Sequence, residues 1–349
     1  MSPRIYALVL SAVVATVFFG IAAANVIIDP QGVFGTNLIH SINVNQRYLR
    51  FAAYQRRQDR FDGVLFGSSR AQQMPFEALS ARMNGVRFAD FAVAGGLIDD
   101  HLPVLEYMLR PTKTRPRLRA VFLMIDIDSF GNPTVANLYQ NTWLAPAVTG
   151  ENVIRFWWKH LVAIQFDTWR NAVRHTLRVP RVAPVPPPDQ PRPVPPVPSR
   201  ADATAPSQAD AAAKPLEWIT SRADFNRQLM LLERLVAICR ASDVRLVVVI
   251  TPLHFTVEPL YDPADMSRAV DEISRVVPLW DFTGTSAVTG HSNLWIDTSH
   301  FVAEVSVLML KRIFSEPVPP GWQQFGRQRG QRAEEHASGS RRMLVVGQP

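Results

Sequence analysis

The sequence predicts an α/β domain, a parallel sheet flanked by helices, preceded by one N-terminal membrane-spanning helix. Three observations predict it. Residues 5–28 (IYALVLSAVVATVFFGIAAANVII) carry no charge, and about 20 apolar residues suffice to cross a hydrocarbon core. From residue 63 to residue 282, short apolar runs alternate with segments of helical spacing. The strongest runs, at 63–66, 120–125 and 244–250, lack the in–out alternation of a half-exposed sheet. Strands of that kind are buried on both faces, as they are in a parallel sheet covered by helices.

Composition narrows the classes. The chain has 349 residues, 47% hydrophobic and 19% charged, which is ordinary for a globular protein with a sizeable core. Lys plus Arg outnumber Asp plus Glu by 37 to 30. The excess is spread thinly, without the basic block that tracks a phosphate backbone, so no nucleic-acid partner is expected. A single cysteine, Cys239, excludes an intrachain disulfide framework and a Cys-rich zinc module. Its default role is buried and apolar, on a helix at 225–241. No metal and no cofactor are expected.

The elements follow in order. Residues 1–30 form the anchor, apolar on all sides, unlike a surface helix of a soluble fold. Two membrane readings stand: a signal peptide cleaved after the small residues Ala22, Ala23 and Ala24, or an uncleaved anchor. The length of the run, continuing through Val26, Ile27 and Ile28, favours the anchor. Arg4 keeps the N-terminus inside, which puts the remainder outside. No second apolar stretch of spanning length follows. Residues 31–60 read as a polar, Arg-rich connector with helical potential.

Residues 61–315 read as the α/β domain. Strands are expected at 63–66, 86–93, 120–126, 244–250 and 277–282, and helices at 76–82, 101–109, 225–241 and 269–276. A Pro-rich insertion at 179–216 interrupts it, because proline at that density removes backbone donors and gives an extended segment. Residues 131–178, with Trp143, Trp157, Trp158 and Trp169, read as a helical subdomain or lid. Packing is the commoner use of such indoles, although they also suit sugar rings. The polar tail, 316–349, reads as disordered.

Ligand sites in open α/β sheets gather at the carboxyl ends of strands. Gly67-Ser68-Ser69-Arg70 stands at such an end. A serine there serves either as a helix cap or as a nucleophile on a tight turn backed by free amides. A nucleophile needs a base and the base an orienting group. Of the eight histidines, only His300 has a carboxylate, Asp297, three residues before it. Arg70, beside the serine, suits an anionic substrate group or a carboxylate partner. His254 and Asp126 end strands on the same rim and are candidate pocket residues. Asp99-Asp100-His101 opens a helix, where acidic residues complement the dipole.

Together these blocks resemble the SGNH (GDSL-like) hydrolase superfamily. The closer likeness is to its membrane-anchored cell-envelope branch, which includes the alginate O-acetylation proteins and the D-alanyl-lipoteichoic acid protein. Gly67-Ser68-Ser69 resembles the first block and Asp297-x-x-His300 the last. Further likeness lies in Ile28-Asp29-Pro30-Gln31-Gly32-Val33-Phe34, Phe91-Ala92-Val93-Ala94-Gly95-Gly96, Leu123-Met124-Ile125-Asp126 and Ile250-Thr251-Pro252-Leu253-His254. The resemblance covers about residues 25–315 outside the insertion. It implies a flavodoxin-like three-layer fold, Ser69 as nucleophile, His300 as base and Asp297 as orienter. It also implies an oxyanion hole made by the amides of Ser69 and of Gly95 or Gly96.

The third block, Gly-x-Asn-Asp, has no counterpart, since Asp126-Ile127-Asp128-Ser129 stands there. Loss of one oxyanion donor costs about two to three orders of magnitude in rate. The activity implied is an O-acyltransferase or esterase of cell-envelope or exported polysaccharide. It would sit in the inner membrane as a single-pass protein with its domain in the periplasm, and be supplied by an acyl-donating membrane protein. The alternative is an idle scaffold of the same fold that binds polysaccharide in an envelope or secretion complex.

Overall fold

A computed structural model describes residues 2–36, 44–131, 144–164, 166–178 and 222–330. The Pro-rich insertion, Trp143 and positions 331–349 lie outside the described residues. In chain order the elements are α1 (Pro3–Ile28), α2 (Gln46–Gln55), β1 (Gly63–Gly67), α3 (Phe76–Arg82), β2 (Phe88–Ala92), α4 (Ile98–Leu109), β3 (Ala120–Ile125) and α5 (Ile127–Phe130). They continue with α6 (Pro146–Thr149), α7 (Val153–Val162), α8 (Phe166–Arg178), α9 (Arg222–Ala241), β4 (Arg245–Ile250), α10 (Pro263–Val276), β5 (Leu279–Asp281), α11 (Ala303–Ile313) and β6 (Arg327–Arg329). Two compact units result, one drawn from Met1–Arg56 with Thr142–Pro187, the other from Arg57–Asn141 with Pro188–Pro349.

The second unit is α/β. Its six-stranded sheet has the order β2-β1-β3-β4-β5-β6, and every pair is parallel except the edge pair β5–β6. β1, β2 and β3 are buried at every position, as their unbroken apolar runs require. Phe66 of β1, Phe122 of β3 and Val249 and Ile250 of β4 are fully buried, each contributing about 1.5–3 kcal/mol through removal from water. The strand order reverses at β1 and β3, so their carboxyl ends open the crevice in which doubly wound sheets bind ligands. α10 starts earlier than its apolar spacing indicates. Asp262 accepts the amides of Ala264 and Asp265 (2.7 and 3.2 Å), and Pro263 takes the first helical position.

The tail differs from the expectation of disorder over its first part. Phe325 is buried against Phe282, with ring centroids 4.8 Å apart. β6 then pairs antiparallel with β5, while Arg327 and Arg329 reach the buried Asp281 carboxylate (2.9 and 3.3 Å). A short polar strand needs no long apolar run when one aromatic residue and one buried carboxylate hold it to an edge.

The first unit is helical. α1 is 26 residues long and its most apolar 18-residue window has mean hydropathy 2.4, long and apolar enough to cross a membrane, and its side chains are largely exposed. One polar side chain breaks that surface near its end. Asn25 is buried, donates to the carbonyls of Leu161 and Ala163 (2.8 and 2.9 Å), and accepts the Trp169 indole N–H (2.9 Å). Asp29 ends α1 in the left-handed region (φ 42°), and its carboxylate accepts the amides of Phe34 and Gly35 (3.2 and 2.7 Å). The expected connector thus contains a turn and α2, and the Trp-rich segment contributes α7 and α8.

Candidate active site

β1 ends on a turn that only glycine permits. A Cβ on Gly67 would lie 2.6 Å from the Ala71 Cβ and 3.0 Å from the Met124 carbonyl, closer than atoms pack. Past it the backbone enters a 3-10 turn, Arg70–Gln73, with Ser69 at its cap position (φ −58°, ψ −27°). The two serines then divide. Ser68 is buried; its hydroxyl accepts the Arg70 amide (3.0 Å) and donates to the Asp126 carboxylate. Ser69 makes no cap bond, and its Oγ meets His300 Nε2 at 2.9 Å. The local capping task falls to Ser68.

His300 arrives from a tight loop 231 residues away in sequence. Trp295 and Phe301 form an antiparallel bridge at its base, both buried, and the Ile296 amide donates to the His300 carbonyl (2.7 Å). Within the loop, Asp297 Oδ1 accepts the amides of Ser299 and His300 (2.7 and 2.8 Å). The same carboxylate takes His300 Nδ1 at 2.8 Å (Oδ2) and 3.0 Å (Oδ1). Burial alone would raise the Asp297 pKa, but the bonds from the His300 ring and the Ser299 amide outweigh it and hold the acid below its ordinary range. An ionised Asp297 fixes the proton on Nδ1. That leaves the Nε2 lone pair facing the Ser69 hydroxyl, so the set can move a proton from Ser69 to His300.

Arg70 does not stand free for a substrate anion. It is 4% exposed and its guanidinium is engaged on three sides. Nη1 and Nη2 fork onto the Asp128 carboxylate at 2.7 Å each, and Nε donates to the Ser299 carbonyl at 2.8 Å. Burial would lower its pKa, but Asp126, 3.7 Å away, and Asp128 more than offset this and keep the guanidinium charged. The expected substrate role of Arg70 therefore gives way to an internal one: it ties the turn after β1 to the loop that carries His300.

Asp126 is corrected in the same way. It is buried at the end of β3, bonded by Ser68 and by the Thr251 hydroxyl (2.7 Å) at the end of β4. Burial raises its pKa despite the neighbouring Arg70. Thr251 and Ser68 are framework residues that sequence reasoning did not assign. The available signal was a run of polar residues, each set immediately after an apolar strand.

His254 lies beyond β4 beside the His300 loop. Its ring meets Trp295 edge-on (5.0 Å), and Nδ1 accepts the Thr256 amide (3.2 Å) with the Thr256 hydroxyl 2.6 Å away. An accepting Nδ1 places the ring proton on Nε2. Burial lowers its pKa, partly countered by the Asp297 charge.

Of the two glycines expected to supply an oxyanion amide, Gly96 is otherwise engaged. Its N–H donates to the Val93 carbonyl (2.9 Å), and a Cβ there would sit 2.4 Å from the Gly67 carbonyl, so its role is close packing on β1. Gly95 takes a positive φ of 58°. Among the described residues no acceptor takes the Gly95 or the Ser69 amide. Asp100 caps α4 through the Leu97 amide (3.1 Å), and Asp99 holds Arg227 and Gln228. No group of three or more His, Cys, Asp or Glu suited to a metal occurs among the described residues. In sequence, no family model matches the chain and no curated protein matches it.

Proposed function

We propose that the chain is an SGNH-like serine O-acyltransferase or esterase, held by α1 in the inner membrane with its α/β unit in the periplasm. Its substrate class is cell-envelope or exported polysaccharide. The observation that carries the catalytic part is the Ser69–His300–Asp297 relay, with contacts of 2.9 and 2.8 Å between residues far apart in sequence. The sheet order and the glycine turn after β1 support the same reading.

In this mechanism His300 Nε2 takes the Ser69 proton as Oγ bonds to the acyl carbon of the donor. The oxyanion is held by the amides of Ser69 and Gly95. Collapse breaks the bond from acyl carbon to leaving oxygen, and His300 returns the proton to that oxygen. A sugar hydroxyl, or water in an esterase, then attacks the acyl-Ser69 by the same route in reverse. Asp297 holds the imidazole throughout. His254, carrying its proton on Nε2 at the rim, is the substrate-facing group of this proposal. An acyl-donating membrane protein is the implied partner.

One observation favours an idle scaffold of the same fold: the loop after β3 gives Asp126 and Asp128 to Arg70 and Ser68, where a side-chain amide donor would otherwise be expected. The full chain in detergent, incubated with p-nitrophenyl acetate and followed by intact-mass spectrometry, separates the two. A chromogenic burst with an acetyl adduct, both absent in Ser69→Ala, is the expected result. Equal background in parent and variant would select the scaffold.

A further inference from the structure

The helical unit leaves an apolar surface uncovered on α7 and α8. Ile154, Trp158, Ile164, Phe166 and Leu177 are 54–81% exposed, far more than scattered surface residues require. They are not scattered. On α7, Ile154 and Trp158 lie one turn apart; on α8, Phe166, Val173 and Leu177 follow the helical period, while exposed Arg170 and Arg174 line the neighbouring face. Such a helix, an apolar stripe flanked by basic residues, is suited to lie in a membrane interface. Across residues 153–178 the sequence has five Lys or Arg (155, 159, 170, 174, 178) against the single acidic residue at 167.

What covers this face follows from its continuity with α1. The Trp158 ring stacks on Phe18 at 5.3 Å, and the backbone at 161 and 163 is pinned to Asn25. Phe18 lies ten residues, about 15 Å, before the end of α1. The 26 residues of α1 rise about 39 Å, roughly 9 Å more than a hydrocarbon core. With that excess at its C-terminal end, the level of Phe18 falls about 5–10 Å below the hydrocarbon boundary, the depth of interfacial helices.

We propose that α7 and α8 lie in the surface of the bilayer that α1 enters. Ile154, Trp158, Phe166 and Leu177 sit at the acyl–headgroup boundary, and Arg155 and Arg174 face anionic phospholipid headgroups. The proposal is independent of the catalytic reading. It makes the Trp-rich segment a membrane-seated collar around the anchor rather than a lid or a sugar platform.

The test uses the full chain in nanodiscs of phosphatidylcholine mixed with phosphatidylglycerol. Single cysteines for spin labelling are placed at Ile154, Leu177, Val13 of α1 and the exposed Glu233 of α9, in a Cys239→Ser background. Collision with oxygen, which concentrates in lipid, is compared with collision with a water-soluble nickel chelate. Labels at 154 and 177 are expected to show an oxygen-to-nickel ratio several-fold above that at 233, approaching that at 13. A water-like ratio at 154 and 177 with a lipid-like ratio at 13 overturns the collar and leaves the anchor. A water-like ratio at all three overturns both.

Shielding of 154 and 177 from both reagents would mean a protein partner or a second copy covers the face, which also overturns the proposal. The headgroup part predicts a lower ratio at 177 in pure phosphatidylcholine, and the same drop for Arg155→Glu/Arg174→Glu in the mixed bilayer. An unchanged ratio in both overturns that part.

Discussion

Asp126 and Asp297 stand at the same end of one sheet and are treated in opposite ways. Asp126 is buried, held by two hydroxyls and a guanidinium, and burial raises its pKa. Asp297 is half-exposed on a loop, and three hydrogen bonds hold its pKa down. The first belongs to a framework that locks the ends of β1, β3 and β4 together. The second belongs to a relay that must keep one carboxylate ionised beside a histidine. On the proposed function, stability and chemistry are carried by neighbouring but distinct sets of side chains, and the two serines, Ser68 and Ser69, fall one to each.

Substitutions should separate the sets. The largest effect is expected from Ser69→Ala: acyl turnover falls by about four orders of magnitude or more, to background. The midpoint of urea unfolding stays close to the parent's, because the Ser69 hydroxyl carries no cap bond. A large loss of stability in that variant would dissolve the distinction. Asp297→Asn is expected to cost about as much in rate as loss of an orienting carboxylate elsewhere, up to about 10⁴-fold, again with little change in unfolding.

Arg70→Met should act the other way, lowering unfolding free energy by about 3–5 kcal/mol, since it strands the Asp126 and Asp128 charges in the interior. Because Arg70 Nε also holds the Ser299 carbonyl, turnover should fall with it, and Arg70→Lys should restore charge but not the fork. Ser68→Ala is expected to cost about 1–3 kcal/mol by removing a buried partner from Asp126 and the cap of the Arg70 amide.

The smallest effect is in pH. The native pKa of Asp297 lies below 3.8, so its stabilisation is complete above that value and is lost as pH falls through the native pKa. The difference in unfolding free energy between parent and Asp297→Asn should therefore be about 1 kcal/mol or less near neutrality, given its exposure, and vanish in acid. His254 adds a second dependence of the same sign. Its native pKa is below the ordinary 6.5, so as pH falls below 6.5 the unfolded chain takes a proton that the native chain refuses, and stability declines. A His254→Gln variant should lose that slope; an unchanged slope would remove His254 from the account.

Much of this was legible in the residues themselves. The charge-free run at 5–28 and the strands at 63–67, 120–125 and 245–250 are local apolar patterns, and local patterns survive into the fold. Gly67-Ser68-Ser69 and Asp297-x-x-His300 could be singled out because a nucleophile, its base and its orienter are restricted to few residue types. The start of α10 was missed, because its apolar spacing marks only the later half; the signal lay in Asp262-Pro263.

The sequence by itself determined the class of each element and the small set of residues able to do serine chemistry, because both follow from side-chain type and near-neighbour spacing. Only the tertiary structure decided that Ser68 joins the framework while Ser69 keeps the His300 contact the resemblance implied, that Arg70 and Asp126 face inward, that Gly96 spends its amide on Val93, and that polar residues 327–329 close the sheet edge. The physical reason is distance along the chain. The partners of these groups lie up to 231 residues away, and a hydroxyl or guanidinium has the same chemistry until packing decides what it can reach.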